Sequence, residues 1–105
     1  MTVFIKERSR LARIAARQLR MPRAAIVIGN TIYLWGTTRH EFLQTPSWVR
    51  HEVAHVYQYK KYGSLLFIYL YLRETSVNGY YQNRFEKEAR SKERDKGILD
   101  KIEFR

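Results

Sequence analysis

The chain has 105 residues, 45% of them hydrophobic and 14% aromatic, which is enough apolar material for one small core and too little length for two domains. It contains no cysteine, so a disulfide staple and a thiolate metal site are both excluded, and a reducing, cytoplasmic setting is expected. Lys and Arg number 20 against 10 Asp and Glu, and the resulting net charge of +10 favours polyanions such as nucleic acid, anionic lipid or acidic protein segments.

In chain order, Phe4–Arg20 reads as the first helix. Leu11, Ile14, Ala15 and Leu19 recur at helical spacing, Arg10, Arg13, Arg17 and Arg20 fall on the other side, and Met21-Pro22 stops it. Seven of the 18 positions from Lys6 to Arg23 are basic. A solvated helix face explains them. Nucleic acid is a second candidate partner for this basic N-terminal helix, but few aromatics stand among the arginines and no nucleic-acid motif appears. Nothing reads as a secretory signal, because the apolar stretch "AAIVIG" is short and runs into a strand pattern.

"AAIVIGNTIYLWG" places strands at Ala24–Ile28 and Thr31–Trp35 around Gly29-Asn30, a pair suited to a tight hairpin. Thr37–Gln44, with His40, reads as a loop. Thr45 as N-cap and Pro46 in the first turn then open a helix that runs to about Tyr62 and ends at Gly63. A second apolar helix, Ser64–Glu74, follows. Its run "LLFIYLYL" has 8 residues, against the ~20 needed to cross a bilayer, so no transmembrane segment is predicted. Asn78-Gly79 marks a turn. Asn83 caps a final helix, Arg84–Lys96, which Gly97 terminates, and "ILDKIEFR" at 98–105 is a docked or extended tail.

The chemistry is concentrated in "VRHEVAHVYQ" at 49–58. At about 100° per residue, His51 and His55 stand on one side of the helix and ~6 Å apart along it, so both imidazoles can face one metal ion. Zn²⁺ accepts such nitrogens readily. Glu52 is placed to take a proton from a water activated by that ion. Apart from Arg50, the motif's immediate neighbours Trp48, Val49, Val53, Ala54, Val56 and Tyr57 carry no charge, as suits a helix buried beneath a cleft.

With these flanks the stretch resembles the extended HExxH signature of the zincin metallopeptidases. Gln58 and Lys61 stand where the metzincin branch would have Gly and His. "NRFEKEAR" at 83–90 resembles instead the E-x-x-A helix of the gluzincins. That resemblance implies Glu86 as the third metal ligand and Ala89 as a small packing residue, in a minimal domain of the kind called minigluzincins. The HExxHxxQ form, with Gln58, is also similar to small bacterial domains that carry the same helix. Asn83-x-x-Glu86 equally spells a capping box, which uses a Glu for helix reasons alone. Both uses of Glu86 stay open. Glu88, about 200° round the helix from Glu86, cannot face the same ion. Gluzincins often have Asp four residues after the ligand Glu to orient a ligand His; here that position is Arg90. The family also implies a hydrogen-bond donor to the oxyanion, for which Tyr80 and Tyr81 are the candidates.

The expected architecture is therefore a single α+β zincin-like domain over 1–105: N-terminal helix, β-hairpin, HExxH helix, apolar helix and third-ligand helix. The expected function is zinc-dependent hydrolysis of a peptide or protein substrate, with Glu52 as general base and the strand Thr31–Trp35 at the cleft's upper rim. Two alternatives are a non-catalytic zinc-binding interaction domain and a basic nucleic-acid-binding protein. Latency through the tail, with Asp100, Glu103 or the terminal carboxylate at the metal, is a further expectation.

Overall fold

Val3, Phe4 and Ile5 are β-branched or aromatic. In the computed structural model, which describes residues 1–105, Thr2–Lys6 forms a strand, β1, rather than the opening of a helix. Helix α1 is correspondingly shorter, Arg10–Gln18, and Ser9 caps it by accepting the Ala12 N–H at 3.2 Å. Arg20 closes it in the left-handed region at φ 55°, with the Met21 N–H reaching back to the Ala16 carbonyl at 2.9 Å.

The hairpin lies where the alternation predicts it. Strands β2 (Ala24–Ile28) and β3 (Thr31–Trp35) pair antiparallel, Val27 opposite Ile32 and Ala25 opposite Leu34, around Gly29 at φ 62°. β1 lies parallel to β3, and Glu103–Phe104 (β4) adds a short parallel strand beside β1. The sheet order is β2-β3-β1-β4. β3 is thus paired on both sides, and the free edge on this side of the sheet belongs to β2.

Residues 39–43, expected in a loop, form helix α2 (Arg39–Leu43). A reciprocal capping box starts it: the Thr38 Oγ1 accepts the Glu41 N–H, and the Glu41 carboxylate accepts the Thr38 N–H, both at 3.0 Å. Helix α3 (Pro46–Tyr62) has the expected bounds and ends at Gly63, φ 82°. Helix α4 (Ser64–Gln82) continues beyond the expected end at Glu74, and Gly79, at φ 81° and ψ 164°, leaves helical geometry at the expected Asn78-Gly79 turn, so two helical pieces meet there. Helix α5 (Arg84–Ser91) gives way to 3₁₀ turns at Lys92–Arg94 and Lys96–Leu99 instead of running to Lys96.

Together these elements make an α+β fold with α3 at its centre. Val49, Val53 and Val56 of α3 join Val3, Val27, Ile32 and Leu34 of the sheet, Phe67 of α4 and Phe85 of α5 in one buried cluster. Phe42 of α2 is fully buried with its ring edge-on to Trp48, centroids 5.1 Å apart. No helix is long and apolar enough to cross a membrane.

Candidate metal centre

α3 passes the floor of an apolar cleft of about 680 Å³. Its period presents His51, Glu52, His55 and Tyr59 to that cleft, while Val49, Val53 and Val56 face the core. α5 crosses α3 and delivers Glu86. The Glu86 carboxylate lies between the two imidazoles, Oε1 at 3.1 Å from His51 Nε2 and Oε2 at 3.1 Å from His55 Nε2. One ligand atom from each of the three residues falls within 4.8 Å of the others, and the group could hold a metal ion.

The far side of each imidazole is also tied down. His51 Nδ1 donates to Glu93 Oε2 at 2.8 Å, and His55 Nδ1 donates to Gln58 Oε1 at 2.8 Å. The Gln58 orientation is fixed, because its amide nitrogen donates to the Phe85 carbonyl at 3.0 Å and to Glu88 Oε1 at 2.8 Å. With both Nδ1 atoms acting as donors, each neutral imidazole turns a bare Nε2 lone pair toward Glu86. Lone pairs facing a carboxylate need positive charge between them. Two protons supply it, and so does a divalent cation.

The titration shifts have the same origin. Burial disfavours the charged form of His51, but its hydrogen bonds to Glu86 and Glu93 and the charges of Glu52 and Glu86 outweigh burial and push its pKa up to about 9. His55 is raised against burial in the same way, again by Glu86. Burial would raise Glu86, yet hydrogen bonds from His51 and His55 hold it well below the usual carboxylate range. Glu52 differs. Burial dominates and lifts it to about 7, against the pull of both histidines.

Glu86 does not complete a capping box. Asn83 accepts the Phe85 N–H at 2.8 Å and the Glu86 N–H at 3.4 Å, but its own N–H bonds to the Tyr80 carbonyl, so the Glu86 carboxylate is free to face the histidines. Glu88 points elsewhere and secures Gln58. Arg90 stands where a histidine partner was sought; it donates to the Tyr81 carbonyl and stacks over the Tyr81 ring. The carboxylate that meets His51 Nδ1 is instead Glu93, seven residues beyond Glu86. Arg50, the charged residue just before the motif, donates to the Glu93 carbonyl at 3.0 Å and so anchors that segment.

The tyrosines divide. Tyr80 lines the cleft, and burial together with the Glu86 and Glu52 charges raises its phenol pKa. Tyr81 is exposed, does not line the cleft and is engaged by Arg90. Tyr71 reaches the centre directly, its hydroxyl donating to Glu86 Oε2 at 2.5 Å. Inside an apolar run it looked like packing, so the sequence reading missed it. His40 lies exposed on α2, away from the cleft.

Two rim expectations need correction. Ala25–Ile28 of β2, not β3, border the cleft; four consecutive residues do so because β2 presents its unpaired edge. The tail does not reach the site. β4 lies at the opposite edge of the sheet, Asp100 and Glu103 are exposed, and Glu103 pairs with Arg105 at 2.9 Å. The chain matches no protein-family model, no curated protein and no solved structure.

Proposed function

We propose that this chain is a zinc-dependent peptidase of the gluzincin kind, in which His51, His55 and Glu86 hold the ion and Glu52 is the general base. The observation that carries the reading is a convergence. Two imidazole nitrogens, one carboxylate oxygen and the Glu52 carboxylate meet on the floor of a cleft bordered by a free strand edge.

The donor set fits zinc, since two histidines and a glutamate leave one position of a four-coordinate ion open. Bound there, zinc supplies a Lewis acid for a carbonyl oxygen and lowers the pKa of water. The remaining roles belong to the chain. The outer edge of β2 offers backbone N–H and C=O groups to an extended peptide and fixes its register in the cleft. Glu52 accepts the proton released as water attacks the scissile carbonyl and passes it to the departing nitrogen. Tyr80, on the cleft wall, donates a hydrogen bond to the carbonyl oxygen as it becomes negative. Glu93 and Gln58 hold the two imidazoles in the tautomer that keeps Nε2 available.

The test is zinc quantification on the purified chain together with casein cleavage, with and without a chelator, in the parent and in Glu52→Gln. Expected is stoichiometric zinc in both proteins and chelator-sensitive cleavage in the parent, reduced at least ~100-fold in Glu52→Gln. Zinc without cleavage in the parent would leave a metal-binding domain and remove the peptidase.

A further inference from the structure

Most of the bare apolar surface of this protein lies on two helices. All the exposed large apolar side chains except Phe4 and Ile28 lie on residues 11–21, which are α1 and its exit, or on α4. Both helices line the cleft, α1 and its exit through Leu11, Ala15 and Leu19 and α4 through Ile68 and Leu72. Both walls continue outward into solvent. On α4, Leu65, Tyr69 and Leu72 are 88%, 61% and 62% exposed, and they fall within about 60° of one another around the helix. On α1, Leu11 and Ile14 are exposed, and Arg10 and Arg17 lie about 40–60° round the helix from Ile14. From position 8 to position 40 the chain carries seven arginines and no Asp or Glu.

We infer that α1 and α4 seat the protein on an anionic lipid surface, the arginines of α1 at the lipid phosphates and the apolar stripes of both helices in the acyl boundary. An aliphatic stripe beside a basic one on the same helix is the pattern of a helix that lies in the membrane interface. Neither helix is long and apolar enough to cross a bilayer, so the contact is with its surface. The charge selects the partner. A second copy of the chain would bring its own arginines against these, and nucleic acid would satisfy the arginines while leaving Leu65, Tyr69 and Leu72 in water. An anionic bilayer satisfies both, because headgroup phosphates and acyl chains lie within one side-chain length of each other. No residue of the metal centre enters this inference, and it stands independently of the peptidase reading.

Co-sedimentation with vesicles of phosphatidylcholine alone, and of phosphatidylcholine mixed with phosphatidylglycerol, tests it on the full chain. Binding to the mixed vesicles is expected. It should fall at least about tenfold in a Leu65→Ser, Tyr69→Ser, Leu72→Ser variant with unchanged circular dichroism and melting, and by a similar factor in Arg10→Glu, Arg17→Glu. Should the triple variant unfold, Leu65→Ser alone, at the most exposed of these positions, is expected to weaken binding about twofold or more. No binding to the mixed vesicles overturns the proposal. So does binding that the serine substitutions leave unchanged, which is what attraction of charge alone, to heparin or duplex DNA as much as to lipid, would give.

Discussion

Glu93 and Gln58 touch the two histidines on the side away from Glu86, and their influence is on orientation and basicity rather than on direct ligation. Replacing such partners costs on the order of 10–100-fold in metal affinity while the ligands themselves remain. Glu93→Gln and Gln58→Ala are each expected to weaken zinc binding in that range, whereas Glu86→Gln removes a ligand and should weaken it further; competition titration with a fluorescent chelator measures all three. Equal affinity in Glu93→Gln and the parent would mean that the 2.8 Å contact to His51 is incidental. How much of the centre was legible follows from spacing. His51, Glu52 and His55 lie within little more than one turn of one helix, and the E-x-x-A stretch points to Glu86. Glu93 follows Glu86 by two turns and had a usable periodic signal. Tyr71 had none: a tyrosine in "LLFIYLYL" is a core residue by every local rule, and its hydroxyl meets Glu86 only because α4 and α5 fold back on each other.

At the scale of elements, Asn83 is where that folding back is fixed. Its side chain is fully buried, caps α5 with one end, and donates to the Tyr71 carbonyl at 3.1 Å and Thr75 Oγ1 at 2.9 Å with the other. Asn83→Ala removes the cap and strands half-buried partners on α4, a loss of about 2–3 kcal/mol. Asn83→Asp keeps the acceptor for the cap but sets a buried carboxylate oxygen against the Tyr71 carbonyl, and should also destabilise in chemical denaturation. Stability equal to the parent's in either variant would refute the assigned bonds. Elements that announce themselves locally were readable: Pro46 and Gly63 bracket α3, and Gly29-Asn30 divides β2 from β3. Thr38 and Glu41 also spell the box that starts α2, a local signal that the reading of 37–44 as a loop did not use. β1 was not readable. Its stability comes from pairing with β3, where Phe4 meets Thr31 and Ile5 meets Ile32, and with β4 at the far end of the chain, and no window of neighbouring residues contains those partners.

For the whole molecule, the consequence is that a small core is crossed by one electrostatic joint. A 105-residue chain without disulfides rests mainly on its apolar cluster. The same chain carries a net charge of +10, whose self-repulsion favours expansion. His51 and His55 on α3 and Glu86 on α5 tie two helices that the chain connects only through α4, so an ion shared among them would hold the native state and would have no preformed site in the unfolded one. Binding to the native state alone stabilises by about 2.7 kcal/mol when free zinc is a hundred times its dissociation constant. For a domain of this size that corresponds to a rise in Tm of roughly 10–20 °C. Melting of the chelator-stripped protein, followed by titration with zinc, should reproduce that rise in the parent and in Glu52→Gln, whose carboxylate is not a ligand, and should lose most of it in Glu86→Gln. If the parent's transition does not move with zinc, the joint between α3 and α5 is closed by protons alone, and the hydrolytic chemistry assigned to the cleft loses its ion.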